Sequence, residues 1–254
     1  MAAQKVVLVT AGTAGVGAAV ARAFAPEFRV VVNYANNAER AQNFLSELES
    51  IPSTWAASSG PRFKALQADV GDKSSVENLV SETVKAMGRL DVVISNAGWT
   101  RVTNFFDFNE QTLESDWDKC FVYNVKSHLW LFSAAKPHLA ETGGAFVSTA
   151  SLAGVKPSGS SMPYAVTKSA QIHLAKCLAV ICGNSGIRVN SVSPGLLLTE
   201  WGQKFGEEKI QKNIGMTKLG RLAEVDDVAA QIKTLATSQS ITGQNIVIDC
   251  GTSL

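Results

Sequence analysis

Short apolar runs alternate along this chain with longer stretches in which apolar residues return every three or four positions. The runs are Lys5–Thr10, Arg29–Tyr34, Arg62–Ala68, Asp91–Ser95, Gly144–Thr149, Arg188–Ser193 and Asn245–Asp249, most of them rich in Val or Ile. The helical stretches are Gly15–Ala25, Ala38–Glu49, Lys73–Met87, Leu113–Leu139, Met162–Cys182 and Glu224–Thr237. Strands alternating with helices predict an α/β fold, a doubly wound, seven-stranded parallel sheet of Rossmann-like type with helices on both faces. Pro137, which lacks an N–H, predicts an end or a bend in the last turn of its helix. Two segments break the rhythm. Ser50–Pro61 reads as a surface excursion. Pro194–Gly220 sets Leu196, Leu197, Leu198, Trp201 and Phe205 among small residues, which predicts a mobile flap over an apolar ligand, with residues 195–220 as its extent.

Composition narrows the function classes. With 254 residues and 46% hydrophobic content, the chain can bury one substantial core, so a single domain over 1–254 is expected. Lys and Arg number 23 against 22 Asp and Glu, and no run of like charge reaches five, so neither nucleic acid nor an anionic membrane is an expected partner. The first apolar run meets a glycine-rich turn at once and no stretch approaches the roughly 18 apolar residues of a membrane span, which makes the cytoplasm the expected location. Four scattered cysteines and three histidines do not suggest a metal site.

The first strand runs into Ala11-Gly12-Thr13-Ala14-Gly15-Val16-Gly17 and then into a helix. A backbone that approaches a pyrophosphate needs residues without side chains, and a helix N-terminus offers free N–H groups and the positive end of a dipole. Any tight strand-to-helix turn can use three glycines, so the signal lies in the strand before and the helix after. The second strand ends Asn33-Tyr34-Ala35-Asn36-Asn37. An acidic residue at that corner would hold both adenosine ribose hydroxyls and repel a 2′-phosphate. None stands there, and Arg40 is the nearest cation, so NADP(H) is favoured over NAD(H).

Tyr164 and Lys168 lie four apart on one helix face. A neighbouring ammonium favours the phenolate and is expected to lower the tyrosine pKa, giving an acid and base for ketone reduction or alcohol oxidation. The fifth strand ends Ser148-Thr149-Ala150-Ser151, hydroxyls that either polarise a substrate oxygen or merely finish a strand.

Together these pieces resemble the short-chain dehydrogenase/reductase family along essentially the whole chain. The family's Thr-Gly-x-x-x-Gly-x-Gly loop matches Thr10 to Gly17 through Thr10, Gly15, Val16 and Gly17, with Ala11 in place of the first glycine and Gly12 just beyond. Asp69-Val70 matches its Asp-Val, and Ser95-Asn96-Ala97-Gly98 its Asn-Asn-Ala-Gly. The resemblance implies that Asp69 meets the adenine, that Asn96, Ala97 and Gly98 support the sheet and adenosine, and that Pro194, Gly195 and Thr199 hold the nicotinamide end. Tyr34 and Asn36 fall at the adenosine corner. The family's tetrad maps onto Asn124, Ser151, Tyr164 and Lys168. It implies Tyr164 as acid/base, Ser151 on the substrate oxygen, Lys168 on the nicotinamide ribose and Asn124 on a relay water. Ala11, Ser95 and Cys250 depart from the pattern, and Ala11 puts cofactor affinity in question.

The implied activity is an NAD(P)(H)-dependent oxidoreductase acting on a carbonyl or alcohol of a small molecule. Trp99, Phe105, Phe106, Trp201 and Phe205 fall on loops, where they either rim an apolar or aromatic substrate or serve as ordinary core and interface aromatics. The family likeness also implies a homodimer or homotetramer. A non-catalytic NADP(H)-binding protein, and an enzyme reducing imines or double bonds or catalysing a rearrangement, remain open alternatives.

Overall fold

Seven strands pair in parallel in the order β3-β2-β1-β4-β5-β6-β7. This is a computed structural model, and it describes residues 4–54 and 60–254; residues 55–59 of the Ser50–Pro61 excursion lie outside the described residues. In chain order the elements are β1 (Val6–Val9), α1 (Gly15–Phe24), β2 (Arg29–Tyr34), α2 (Ala38–Glu49), β3 (Phe63–Gln67), α3 (Lys73–Met87) and β4 (Val92–Ser95). There follow α4 (Glu114–Phe121), α5 (Ser127–Thr142), β5 (Ala145–Thr149), α6 (Met162–Cys182), β6 (Arg188–Pro194), α7 (Glu207–Met216), α8 (Val225–Thr237) and β7 (Asn245–Ile248).

The apolar runs serve two cores at once because successive strand residues point to opposite faces. Val7 and Val9 of β1 join Val30, Val32, Val92 and Ile94 under α1, α2 and α8. Val6 and Leu8 join Val31, Val93 and Phe146 under α3, α5 and α6. Phe132 of α5 meets Phe146 edge to face at 5.3 Å, a favoured aromatic geometry. Strand order reverses between β1 and β4, and the crevice outside their carboxyl ends is where open α/β sheets place ligands. Among the described residues no helix is long and apolar enough to cross a membrane.

Two expectations are corrected. The Leu113–Leu139 stretch is not one helix. It divides into α4 and α5 at a π-helical turn, Val122–Lys126, centred on Asn124. Pro137 does not end α5, which continues to Thr142 and stops at Gly143 with φ 58°. Burial of Leu131, Phe132, Ala135 and Leu139 against the sheet outweighs the one missing N–H. The Pro194–Gly220 segment is also more regular than its small residues imply. It holds a 3-10 turn, Gly202–Phe205, and then α7, whose Glu207 and Glu208 sit in the first turn where the helix dipole favours negative charge.

Candidate active site

The glycine-rich turn divides its labour. Thr10 is buried, and its hydroxyl accepts from Asn96 N at 2.9 Å and Ala97 N at 3.1 Å, so it ties β1 to the segment after β4. Asn96 answers by donating its Nδ2 to Thr10 O at 3.2 Å. Gly12 lies against Val32, and a Cβ on Gly17 would fall 2.2 Å from Ala11 O, which no side chain can relieve. Ala14, the N-cap of α1, supplies no side-chain cap, leaving first-turn N–H groups beside Gly15 and Val16 for a ligand. Backbone donors and an uncapped helix end suit a pyrophosphate.

At the adenosine corner the Asn33 side chain turns inward, accepting from Ala11 N at 3.2 Å and donating to Ala68 O at 3.0 Å. Tyr34 is half-buried and Asn36 exposed, while Asn37 caps α2 by accepting from Arg40 N at 2.8 Å. Arg40 pairs with Glu200 at 3.2 Å. Asp69 accepts from Gly71 N at 2.8 Å and from the Tyr123 hydroxyl at 3.1 Å, and Val70 is buried in the core beneath it.

The four tetrad positions come from three places: the π-helical turn holds Asn124, the turn after β5 holds Ser151, and α6 holds both Tyr164 and Lys168. Ser161 caps α6 by accepting from Tyr164 N, which starts that helix one turn before Lys168. Ser151 leads out of β5 with its hydroxyl accepting from Ala153 N at 3.2 Å, and Gly154 lets this turn lie on the α6 backbone, where a Cβ would come 2.6 Å from the Lys168 carbonyl carbon. Asn124 is fully buried in the π-helical turn. Its carboxamide accepts from Trp99 N at 2.8 Å and donates to Trp99 O at 2.9 Å and Thr167 Oγ1 at 3.1 Å. π-turns of this kind occur often at functional positions.

The electrostatics differ from the expectation. Burial pushes the Tyr164 phenol up to about 12, with the Ser151 hydroxyl pulling the other way, and pushes the Lys168 ammonium down to about 7. Desolvation is the largest cause at both groups, and the expected lowering of the phenol by the ammonium is not what sets its value. Lys168 Nζ stands 5.6 Å from the Tyr164 ring centre, and its bonds go to Thr149 O at 2.9 Å and Gln171 Oε1 at 2.8 Å.

Two cavities meet at Tyr164 and Ser151. One, of about 390 Å³, is lined by Ala11, Ala14, Gly15 and Val16 on one side and by Asn96, Gly98, Trp99, Lys168, Pro194, Gly195 and Thr199 on the others. The second, of about 700 Å³, is lined by Phe105, Phe106, Leu152, Trp201, Phe205 and Met216 together with the charged Lys156, Glu207, Glu208, Lys209 and Lys212. Trp201 packs 6.0 Å from Tyr164 and 5.5 Å from Phe205, ring centre to ring centre. Thr10, Gly12, Gly17, Tyr34, Asn36, Asp69, Val70, Ala97 and Asn124 line neither cavity; several of them build the walls from behind.

Sequence reasoning missed Gln171, Thr167 and Tyr123. Gln171 had a signal, since Tyr164, Lys168 and Gln171 share one helix face at i, i+4 and i+7. Tyr123 had none, because its partner Asp69 is 54 positions away.

Known proteins resemble this chain in sequence and in fold. The family described as enoyl-(acyl carrier protein) reductase matches residues 10–253. A Streptomyces violaceoruber protein bearing a granaticin polyketide synthase ketoacyl reductase name is 35% identical over 253 residues, 98% of this chain and 96% of its own. Versicolorin reductase of Emericella nidulans is 32% identical, over 97% of this chain and 95% of its own. The crystal structure of a short-chain dehydrogenase from Burkholderia cenocepacia in complex with NADP is 33% identical, with a TM-score of 0.87 and 99% of both chains covered. Matched in sequence and in fold over nearly its whole length, the chain belongs to the short-chain dehydrogenase/reductase family, nicotinamide-dependent oxidoreductases of small molecules.

Proposed function

We propose that this enzyme is an NADPH-dependent reductase of a carbonyl on an apolar, cyclic small molecule, or the dehydrogenase of the matching alcohol, built as one domain over 1–254. The observation that carries this reading is the meeting of the two cavities at Tyr164 and Ser151, one lined by the glycine turn and Lys168, the other by aromatic rings. When bound, the cofactor supplies the hydride. Thr10, Gly12, Gly15, Val16, Gly17, Asn96, Ala97, Gly98, Pro194, Gly195 and Thr199 build its cleft, with Tyr34, Asn36, Asp69 and Val70 at the adenosine end.

Ser151 donates a hydrogen bond to the substrate oxygen, and Tyr164 donates the proton that oxygen needs once it becomes an alkoxide. Burial keeps the phenol in its protonated form at neutral pH, the form that reduction draws on. Lys168 offers positive charge beside the phenol as that proton leaves. Asn124 holds Trp99 and α6 in place through its carboxamide. Residues 195–220 act as the flap, bringing Trp201 and Phe205 over the apolar cavity, which shields the reacting carbon from water.

The preference for the 2′-phosphate rests on the missing carboxylate at Tyr34–Asn37 and on Arg40, whose pair with Glu200 is exposed enough to exchange for a phosphate. Phe121, Leu129, Val166, Val180 and Ile181 expose apolar surface on α4, α5 and α6, and we assign this face to a second copy of the chain in a homodimer or homotetramer.

Titration of wild type and Tyr164→Phe with NADPH and NADH by nicotinamide fluorescence, followed by a panel of aryl and cyclic ketones, tests the reading. We expect both proteins to bind NADPH more tightly than NADH, and only wild type to consume it. Binding without turnover on any ketone favours a non-catalytic role, and undiminished turnover by Tyr164→Phe removes Tyr164 as the acid.

A further inference from the structure

The Lys168 ammonium is buried, and a buried charge is tolerated only where its donors are met. An ammonium has three N–H groups. One goes to the Thr149 carbonyl of β5 at 2.9 Å and a second to Gln171 Oε1 at 2.8 Å. Gln171 is itself 1% exposed, and its Nε2 donates to the same Thr149 carbonyl at 3.1 Å. The opposite carboxamide orientation would set its NH2 against the ammonium, donor against donor, so the oxygen is directed at Lys168. A closed triangle of Lys168, Gln171 and Thr149 O thus leaves one N–H of the ammonium for the cavity that Lys168 lines beside Tyr164.

We propose that Gln171 is a positioning residue for Lys168, its carboxamide holding the ammonium charged and oriented so that the remaining N–H is presented to the nicotinamide ribose and to Tyr164. This rests on the cofactor reading above. The titratable groups that face the ammonium are Tyr164 on its own helix, Cys120 from α4 and His128 from α5. Burial pushes the Cys120 thiol up to about 11 and the His128 imidazole well below its usual value, so neither carries charge near neutral pH. The nearby Asp116 carboxylate acts on Cys120 and is paired with Arg101. Neutral acceptors therefore hold the charge, and Gln171 is the one side chain among them. With burial already bringing Lys168 to about 7, losing one acceptor decides its state at neutral pH.

The test is the pH dependence of the NADPH dissociation constant, read by nicotinamide fluorescence, for wild type, Gln171→Met and Gln171→Glu, each first shown to unfold cooperatively. Affinity falls on the alkaline side as Lys168 loses its proton. Gln171→Met removes a hydrogen bond to a charged group and moves that fall to lower pH by about one unit. Gln171→Glu keeps an acceptor and adds charge, which moves it to higher pH. Three coincident profiles, or two variants displaced the same way as a packing fault would displace them, overturn the role of Gln171. Wild type that binds neither NADPH nor NADH overturns the cofactor reading itself, and this role with it.

Discussion

Ala11 and Cys250 are the two non-glycine residues at positive φ among the described residues, 48° and 53°, and both stand where the family pattern has glycine. A left-handed alanine crowds its own carbonyl, at a cost of roughly 1 kcal/mol. Ala11 is held there because its N donates to Asn33 Oδ1 and its carbonyl packs against Gly17. Ala11→Gly should therefore raise stability by about 0.5 kcal/mol, the relief of strain less the greater unfolded freedom of glycine. The urea midpoint reads this, and a lower midpoint for the variant would show that Ala11 is not strained. The departure named in the sequence is thus a cost in backbone energy. Gln171 shows the opposite case at the same scale, a residue visible on the right helix face whose role depends on where Thr149 places a carbonyl.

At the scale of elements, the π-helical turn between α4 and α5 puts Asn124 where its carboxamide meets both backbone groups of Trp99 and the hydroxyl of Thr167. Asn124→Ala leaves those groups without partners in a dry interior and should destabilise the protein by about 3 kcal/mol. Chemical denaturation checks this; a loss under about 0.5 kcal/mol, the scale of an ordinary surface change, would mean that water or another side chain takes over. The Leu113–Leu139 stretch reads as one helix because α4, the π-helical turn and α5 follow one another without a break in helical backbone. α7 was hidden for another reason. It is short, carries only Ile210, Ile214 and Met216 as apolar residues, and lies inside a segment whose small residues read as a flap.

For the whole molecule, burying an ammonium and a phenol together ties unfolding to pH. Lys168 has its pKa depressed to about 7 in the fold, so between there and the ordinary lysine range the unfolded chain binds the extra proton, and stability rises with pH across that window. Tyr164, raised to about 12, acts in reverse above the ordinary tyrosine range, where the folded state keeps the proton and stability falls as pH rises. The melting temperature of wild type minus that of Lys168→Met should accordingly climb from neutral to mildly alkaline pH; a flat difference would show that Lys168 titrates as it does in water. The seven strands and their parallel sense were legible in the chain, because apolar runs, helical period and turn residues are local signals that physics reads over a few residues, whereas Asn124 and the roles of the four tetrad positions were read from the family likeness. The glycine turn was legible likewise, since strand, turn and helix are contiguous. What the tertiary structure alone decided was long-range. It brought Asp69 to Tyr123, Arg40 to Glu200 and Thr149 O to Lys168. It also let desolvation override the charge pairing that the spacing of Tyr164 and Lys168 implied, because burial is a property of the packed whole.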